Sequence, residues 1–112
     1  IDEKFLEDVR NKSEWFKNAL QRHLSCDVPK MEDWHWTVDG LGFMLAINTP
    51  SKEFRRKVMD FAYDEKLLVA TAEPAAIRLL PPLNISDEVM FQIVDILTRS
   101  VTKTVQLYQT PQ

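Results

Sequence analysis

The chain has 112 residues, of which 45% are hydrophobic and 28% charged, with a net charge of −3 and an isoelectric point near 5.3. That length fits one domain, able to bury roughly two thirds of the surface that its unfolded form exposes. The acidic balance argues against nucleic acid, whose phosphates call for a clustered cationic surface, and no run reaches the roughly 18 to 20 apolar residues that span a membrane.

The chain opens on Ile1 rather than methionine, and "IDEKFLEDVR" has neither the basic start nor the apolar centre of a signal peptide. It reads as a chain cut or processed from something longer. Residues 2–24 predict one amphipathic helix: Phe5, Leu6, Val9, Phe16, Leu20 and Leu24 recur at helical intervals, with Ser13 as an interruption. Acids early and Arg22 and His23 late suit the helix dipole. A loop follows from Ser25 to Asp33, broken by Pro29. It carries Cys26, the only cysteine, which excludes an intrachain disulfide and fits a reducing, cytoplasmic compartment.

"TVDGLGFMLAI" is dense in strand formers and predicts a strand beginning near Gly42. "NTPSKEF" then reads as a helix start, with Thr49 as cap and Pro50 at the first helical position. This helix runs to about Lys66 and turns Phe54, Val58, Phe61 and Ala62 inward. "LLVATA" (67–72) and "AIRLLP" (76–81) predict two short strands, joined through Glu73 and Pro74 as a hairpin would be. Pro81 and Pro82 end the second, because neither can donate a ladder hydrogen bond. Ser86 is a good N-cap, followed by Asp87 and Glu88 on the positive end of the dipole. The final helix buries Val89, Met90, Ile93, Leu97 and Val101, and its pattern is lost from Gln106 onward, as in a frayed end. The expected fold is α+β: a small three-stranded, mainly antiparallel sheet with helices on one face, in the order α-β-α-β-β-α, forming a single domain over 1–112.

Most chemical signals have plain explanations. Gly40-Leu41-Gly42 precedes a strand and lacks a third glycine, so it reads as a tight turn needing positive φ rather than a dinucleotide loop. Trp34 and Trp36 share one face of an extended segment while His35 points away, which fits packing indoles better than a metal site. Ser51-Lys52 resembles the dipeptide around some Schiff-base lysines, but Lys52 falls at an exposed helix start. Arg55-Arg56-Lys57, with Glu53 and Asp60 nearby, reads as a solvated helix face. Arg78 stands apart. Ile77 and Leu79 flank it and face the core, so Arg78 faces the other side. Strand logic leaves two readings open: a solvated residue, or a planar cation placed for bidentate capture of a carboxylate.

"GLGFMLAI" with its following helix, "LLVATAEPAAIRLLPPLNISDEV" and the terminal helix together resemble the C-terminal small domain of class III (ornithine/acetylornithine-type) aminotransferases. That family carries an "RGxGLMxGIE" strand, an "LLV" strand, an "(I/L)R(F/L)xPPL" strand and a capped helix rich in acids at its start. "FLEDVRNKSEWFKNAL" is similar to the family's "ENVRERGEYLREGL" helix. The resemblance extends from about Phe5 to Lys103, and "IRLLPPL" is its most specific part. It departs from the pattern at Asp39, where arginine is usual, and at Ser13, Ala46 and Pro74, where glycine is common.

The resemblance implies a pyridoxal-phosphate-dependent amino transfer. The donor would be ornithine-, acetylornithine- or 4-aminobutyrate-like, and the acceptor a 2-oxo acid such as 2-oxoglutarate. It also implies that Arg78 lines the cleft between two domains and holds a substrate carboxylate. The family's Schiff-base lysine, pyridinium-pairing aspartate and phosphate-binding loop lie in its large domain and have no match here. The isolated chain is therefore expected to bind no cofactor and to be inert, with the large domain as its partner and a homodimer as the full-length form. A stand-alone, non-enzymatic interaction module derived from such a domain is the alternative.

Overall fold

The structure, a computed structural model, describes residues 2–41, 44–80 and 84–109. Helix α1 spans Glu3–Cys26 and is capped by Asp2, whose side chain accepts a hydrogen bond from the Lys4 backbone N–H at 2.9 Å. Phe16, Leu20 and Leu24 form its buried stripe. Ser13 continues that stripe rather than interrupting it: it is buried, and its hydroxyl donates to the Arg10 carbonyl at 2.9 Å. Phe5 and Leu6, expected inside, are 47% and 46% exposed, because the first turns of α1 overhang the core.

Strands β1 (Val38–Leu41) and β2 (Met44–Asn48) form an antiparallel hairpin, where the sequence predicts one strand beginning near Gly42. Asp and Gly are poor strand formers, so "VDGL" carries little local preference. Pairing with β2 overrides it. Gly42 itself lies outside the described residues. Within Gly40-Leu41-Gly42 a positive φ falls on Gly40, which belongs to β1: its φ is 129°, and a Cβ there would lie 2.0 Å from the Met44 carbonyl oxygen.

Helix α2 covers Lys52–Asp64 and is capped by Ser51, not Thr49; the Ser51 hydroxyl accepts from the Phe54 N–H at 3.0 Å. Thr49 is buried instead, with its hydroxyl donating to the Ala75 carbonyl. A hydroxyl buried against a carbonyl is satisfied there and is unavailable to cap a helix. Phe54, Val58 and Ala62 are buried as expected, while Phe61 is only half-buried and lies under the Lys103 ammonium, 5.6 Å from the ring centroid.

Strands β3 (Ala70–Ala72) and β4 (Ala76–Leu79) pair antiparallel, so the expected hairpin is present, with Leu67–Val69 leading into β3 rather than belonging to it. Pro81 and Pro82, expected to end the strand, lie outside the described residues. Helix α3 runs Asp87–Gln109, and the Ser86 hydroxyl accepts from the Val89 N–H at 3.2 Å. Its inner face is Met90, Val94, Leu97, Ser100, Val101, Thr104 and Val105; Val89 is 41% exposed and Ile93 half-buried, which shifts the expected stripe around the helix. Ser100 and Thr104 are tolerated because their hydroxyls donate to the Ile96 and Ser100 carbonyls one turn back. The end of α3 is not frayed from Gln106: the helix continues, and Tyr108 stacks on Phe54 with centroids 5.4 Å apart.

The fold is α+β, as expected, with a correction to the sheet. It has four strands in the order β1-β2-β4-β3, all antiparallel, and the elements run α-β-β-α-β-β-α. Val38, Leu45, Ile47, Ile77 and Leu79 turn to one face and merge with Phe16, Leu20, Phe54, Val58 and Leu97 in a single core. The helices cover that face. The opposite face is open.

Candidate functional site

Alternation along the strands sends every second side chain to the open face. The ladder sets Asp39 opposite Ala46, Ala46 opposite Arg78, and Arg78 opposite Ala70, so these four side chains form one row across all four strands. Arg78 is exposed, and no hydrogen bond or ion pair with another described residue engages its guanidinium. Alanines on both neighbouring strands leave the cation unshielded at its flanks.

Arg78 also lines a cleft of about 360 Å³ with Leu67, Leu68, Val69, Leu80 and Ile93. Leu68 and Leu80 are 81% and 60% exposed, and Met44, two residues from Ala46 on β2, is 62% exposed. An accessible cation thus sits beside an apolar cleft and an apolar rim. An apolar wall lowers the local dielectric around a bound anion, which strengthens a guanidinium–carboxylate contact.

The second charge on this face, Asp39, carries no site signal in the sequence. Asp39 is held by Asn48, whose side-chain amide donates to Asp39 Oδ2 at 2.7 Å and to Thr37 Oγ1 at 2.8 Å. In the sequence it is a lone acid in a weak strand. Only the pairing register places it in the row of Arg78.

The other signals resolve as packing and structure. Trp34 and Trp36 meet edge-on at 5.8 Å, Trp36 is buried, and His35 is exposed. Among the described residues no group of three or more His, Cys, Asp or Glu is placed to hold a metal. Lys52 is exposed and pairs with Glu73 at 3.4 Å. Cys26 is free and exposed. Arg55 departs from the solvated helix face expected of it: its guanidinium donates to the Ala72 carbonyl at 3.0 Å and the Ala76 carbonyl at 3.4 Å, tying α2 to the β3–β4 connection. Arg56 and Lys57 beside it are exposed. Arg99 pairs with Glu65 across α2 and α3 and with Asp95 on its own helix. The Glu65 hydrogen bond is the main cause of its raised pKa.

Among the described residues no lysine is placed to hold pyridoxal phosphate as a Schiff base. A lysine that carries the cofactor's aldehyde needs a desolvated pocket. Every described lysine is exposed except Lys12 and Lys17, which are half-buried, and none lines the Arg78 cleft. Lys17 is occupied by the Gly40 carbonyl and Lys12 by Asp87 and the Ile85 carbonyl. No helix among the described residues is long and apolar enough to cross a membrane.

No family model matches the chain. Curated relatives do. An acetylornithine aminotransferase of Listeria innocua is 32% identical over 99 residues, covering 88% of this chain and 24% of the relative. A diaminobutyrate–2-oxoglutarate transaminase of Halalkalibacterium halodurans is 29% identical over 107 residues, covering 94% of this chain and 24% of that enzyme. Among solved structures, the ornithine aminotransferase of Toxoplasma gondii superposes with a TM-score of 0.76 at 20% identity, over 97% of this chain and 25% of that one. That structure holds pyridoxal phosphate in partial occupancy at its active site. The N-acetylornithine aminotransferase of Stenotrophomonas maltophilia gives a TM-score of 0.72 at 24% identity, over 95% of this chain and 28% of that one. The structural matches show a shared fold, and the chain spans about a quarter of the length of the curated relatives it matches. By sequence and fold together, this chain is a homologue of the acetylornithine/ornithine-type, class III pyridoxal-phosphate-dependent aminotransferases, over a stretch the size of a small domain.

Proposed function

We propose that residues 1–112 are the small domain of a pyridoxal-phosphate-dependent aminotransferase, and that Arg78 holds a substrate carboxylate in the cleft between this domain and a large cofactor-binding domain of the same polypeptide. The observation that carries this reading is an accessible guanidinium without a partner among the described residues. It sits on the helix-free face, beside an apolar cleft, in the strand that matches the family's arginine motif. The amino donor would be an amino acid or ω-amine of the kind named for the relatives, and the acceptor a 2-oxo acid such as 2-oxoglutarate. The large domain would supply the cofactor, its lysine and, in a homodimer, most of the subunit contact. The exposed Met44, Leu68 and Leu80 give that domain an apolar surface to meet.

A charge-assisted bidentate contact is worth roughly 1.5–3 kcal/mol. In a polypeptide joining this chain to its large domain, Arg78→Ala should raise KM for the carboxylate substrate about tenfold to a hundredfold. The isolated chain should transfer no amino group from glutamate and should develop no visible absorption band with pyridoxal phosphate. An unchanged KM sinks the role of Arg78.

The same apolar rim favours a second reading, an interaction module with a protein partner on the open face. An upstream reading frame that encodes no lysine-bearing large domain would decide for it.

A further inference from the structure

We infer that Asp39 and Arg78 are the two poles of one binding site on the open sheet face, and that Asp39 selects ligands carrying an ammonium as well as a carboxylate. This rests on the carboxylate-holding role proposed above for Arg78. It adds a specificity residue, which ranks an amino-acid donor ahead of a monocarboxylate and ahead of a dicarboxylate such as the 2-oxoglutarate acceptor.

Among the described residues of β1 to β4, Asp39 and Arg78 are the only charged side chains. Both fall on the open face and in the same row, with Ala46 of β2 between them. Two strand spacings separate them, roughly 10 Å between Cα atoms. That is too far for a direct contact, and no ion pair joins them, so each charge is left for something else. The floor between them is a methyl group, which leaves room for a small molecule lying across β2.

The carboxylate is also fixed in place. Asn48 donates to Asp39 Oδ2 and to Thr37 Oγ1, both of which serve it as acceptors. Asp39 Oδ1 has no protein partner among the described residues and remains free to accept from an ammonium. A carboxylate already oriented by a neighbour loses less freedom on binding. A ligand with its carboxylate on Arg78 and its ammonium toward Asp39 satisfies both poles. A second carboxylate at that end would meet like charge instead. Because the face is wet, the discrimination is modest, roughly two- to fivefold, as for exposed ion pairs.

The test is a two-dimensional ¹H–¹⁵N NMR titration of the 112-residue chain at low ionic strength, followed at the Arg78 Nε–H and the Asp39 and Ala46 amides. The ligands are 5-aminopentanoate, pentanoate and glutarate, which share a five-carbon skeleton and differ only at the far end. The expected order of affinity is 5-aminopentanoate, then pentanoate, then glutarate. Asp39→Asn, which keeps an acceptor for Asn48, should abolish the preference, and Asp39→Lys should place glutarate first. Arg78→Gln should remove the response to all three. Equal affinities in the native chain, or a preference that survives Asp39→Asn, overturn the selection by Asp39 and leave the role of Arg78 standing. No response to any of the three at Arg78 overturns both.

Discussion

Ile77 and Arg78 are adjacent in β4, yet one is fully buried and the other faces outward, and the same split runs through β1 and β2, while the short edge strand β3 has no buried residue. On the helix-covered face Val38, Leu45, Ile47, Ile77 and Leu79 make apolar contacts with all three helices' inner stripes. On the open face Asp39, Ala46, Arg78 and Ala70 stand outside that core. Stability is concentrated on the first face because burial removes apolar area from water, at about 25 cal/mol per Å². The second face is free to carry residues that contribute nothing to folding, and a charge kept there without a protein partner is available for a ligand.

The comparison can be broken by mutation. The largest effect is expected for Ile77→Ala, which should cost roughly 2–5 kcal/mol through lost transfer energy and a residual cavity, measured by chemical denaturation. A loss under about 1 kcal/mol would mean that the covered face is not the stabilising one. Next is Gly40→Ala. The new Cβ would overlap the Met44 carbonyl at a positive φ, so a loss of at least about 1–2 kcal/mol is expected. Shifted amide resonances in β1 and β2 would accompany it. Arg55→Met should cost about 1–3 kcal/mol, because it leaves two carbonyls at the β3–β4 connection without their charged donor. The smallest change is expected for Arg78→Ala, within about 0.5 kcal/mol of the native chain. The contrast between the two arginines sharpens the comparison: the sequence reads Arg55 as part of a solvated helix face and leaves Arg78 open between solvent and ligand, yet Arg55 is the one with structural work. Equal losses at Arg55 and Arg78 would erase it.

Much of this was legible without coordinates. The three helices followed from apolar spacing, and the Ser86 cap from residue type. The outward direction of Arg78 followed from its flanking Ile77 and Leu79. The misses have physical causes. Ser13 looks like a break in an apolar stripe, but its hydroxyl bonds to a carbonyl of its own helix and can be buried. The hydroxyls of Ser100 and Thr104, which the expected stripe of the last helix left out, do the same. Thr49 and Ser51 are both competent caps, and the choice turned on which hydroxyl the Ala75 carbonyl occupies. The end of α3 seemed to lose its pattern because Tyr108 packs on Phe54, a residue of another helix.

What the residues determined alone was whatever depends on neighbours in the chain: periodicity, capping, and the side of a strand from which a side chain projects. The fourth strand, the position of Gly40 against a carbonyl, and the placing of Asp39 in line with Arg78 were decided by the fold. Each of these depends on register between segments far apart in sequence. Register is set by how a whole apolar face fits its core, a quantity that no short stretch contains.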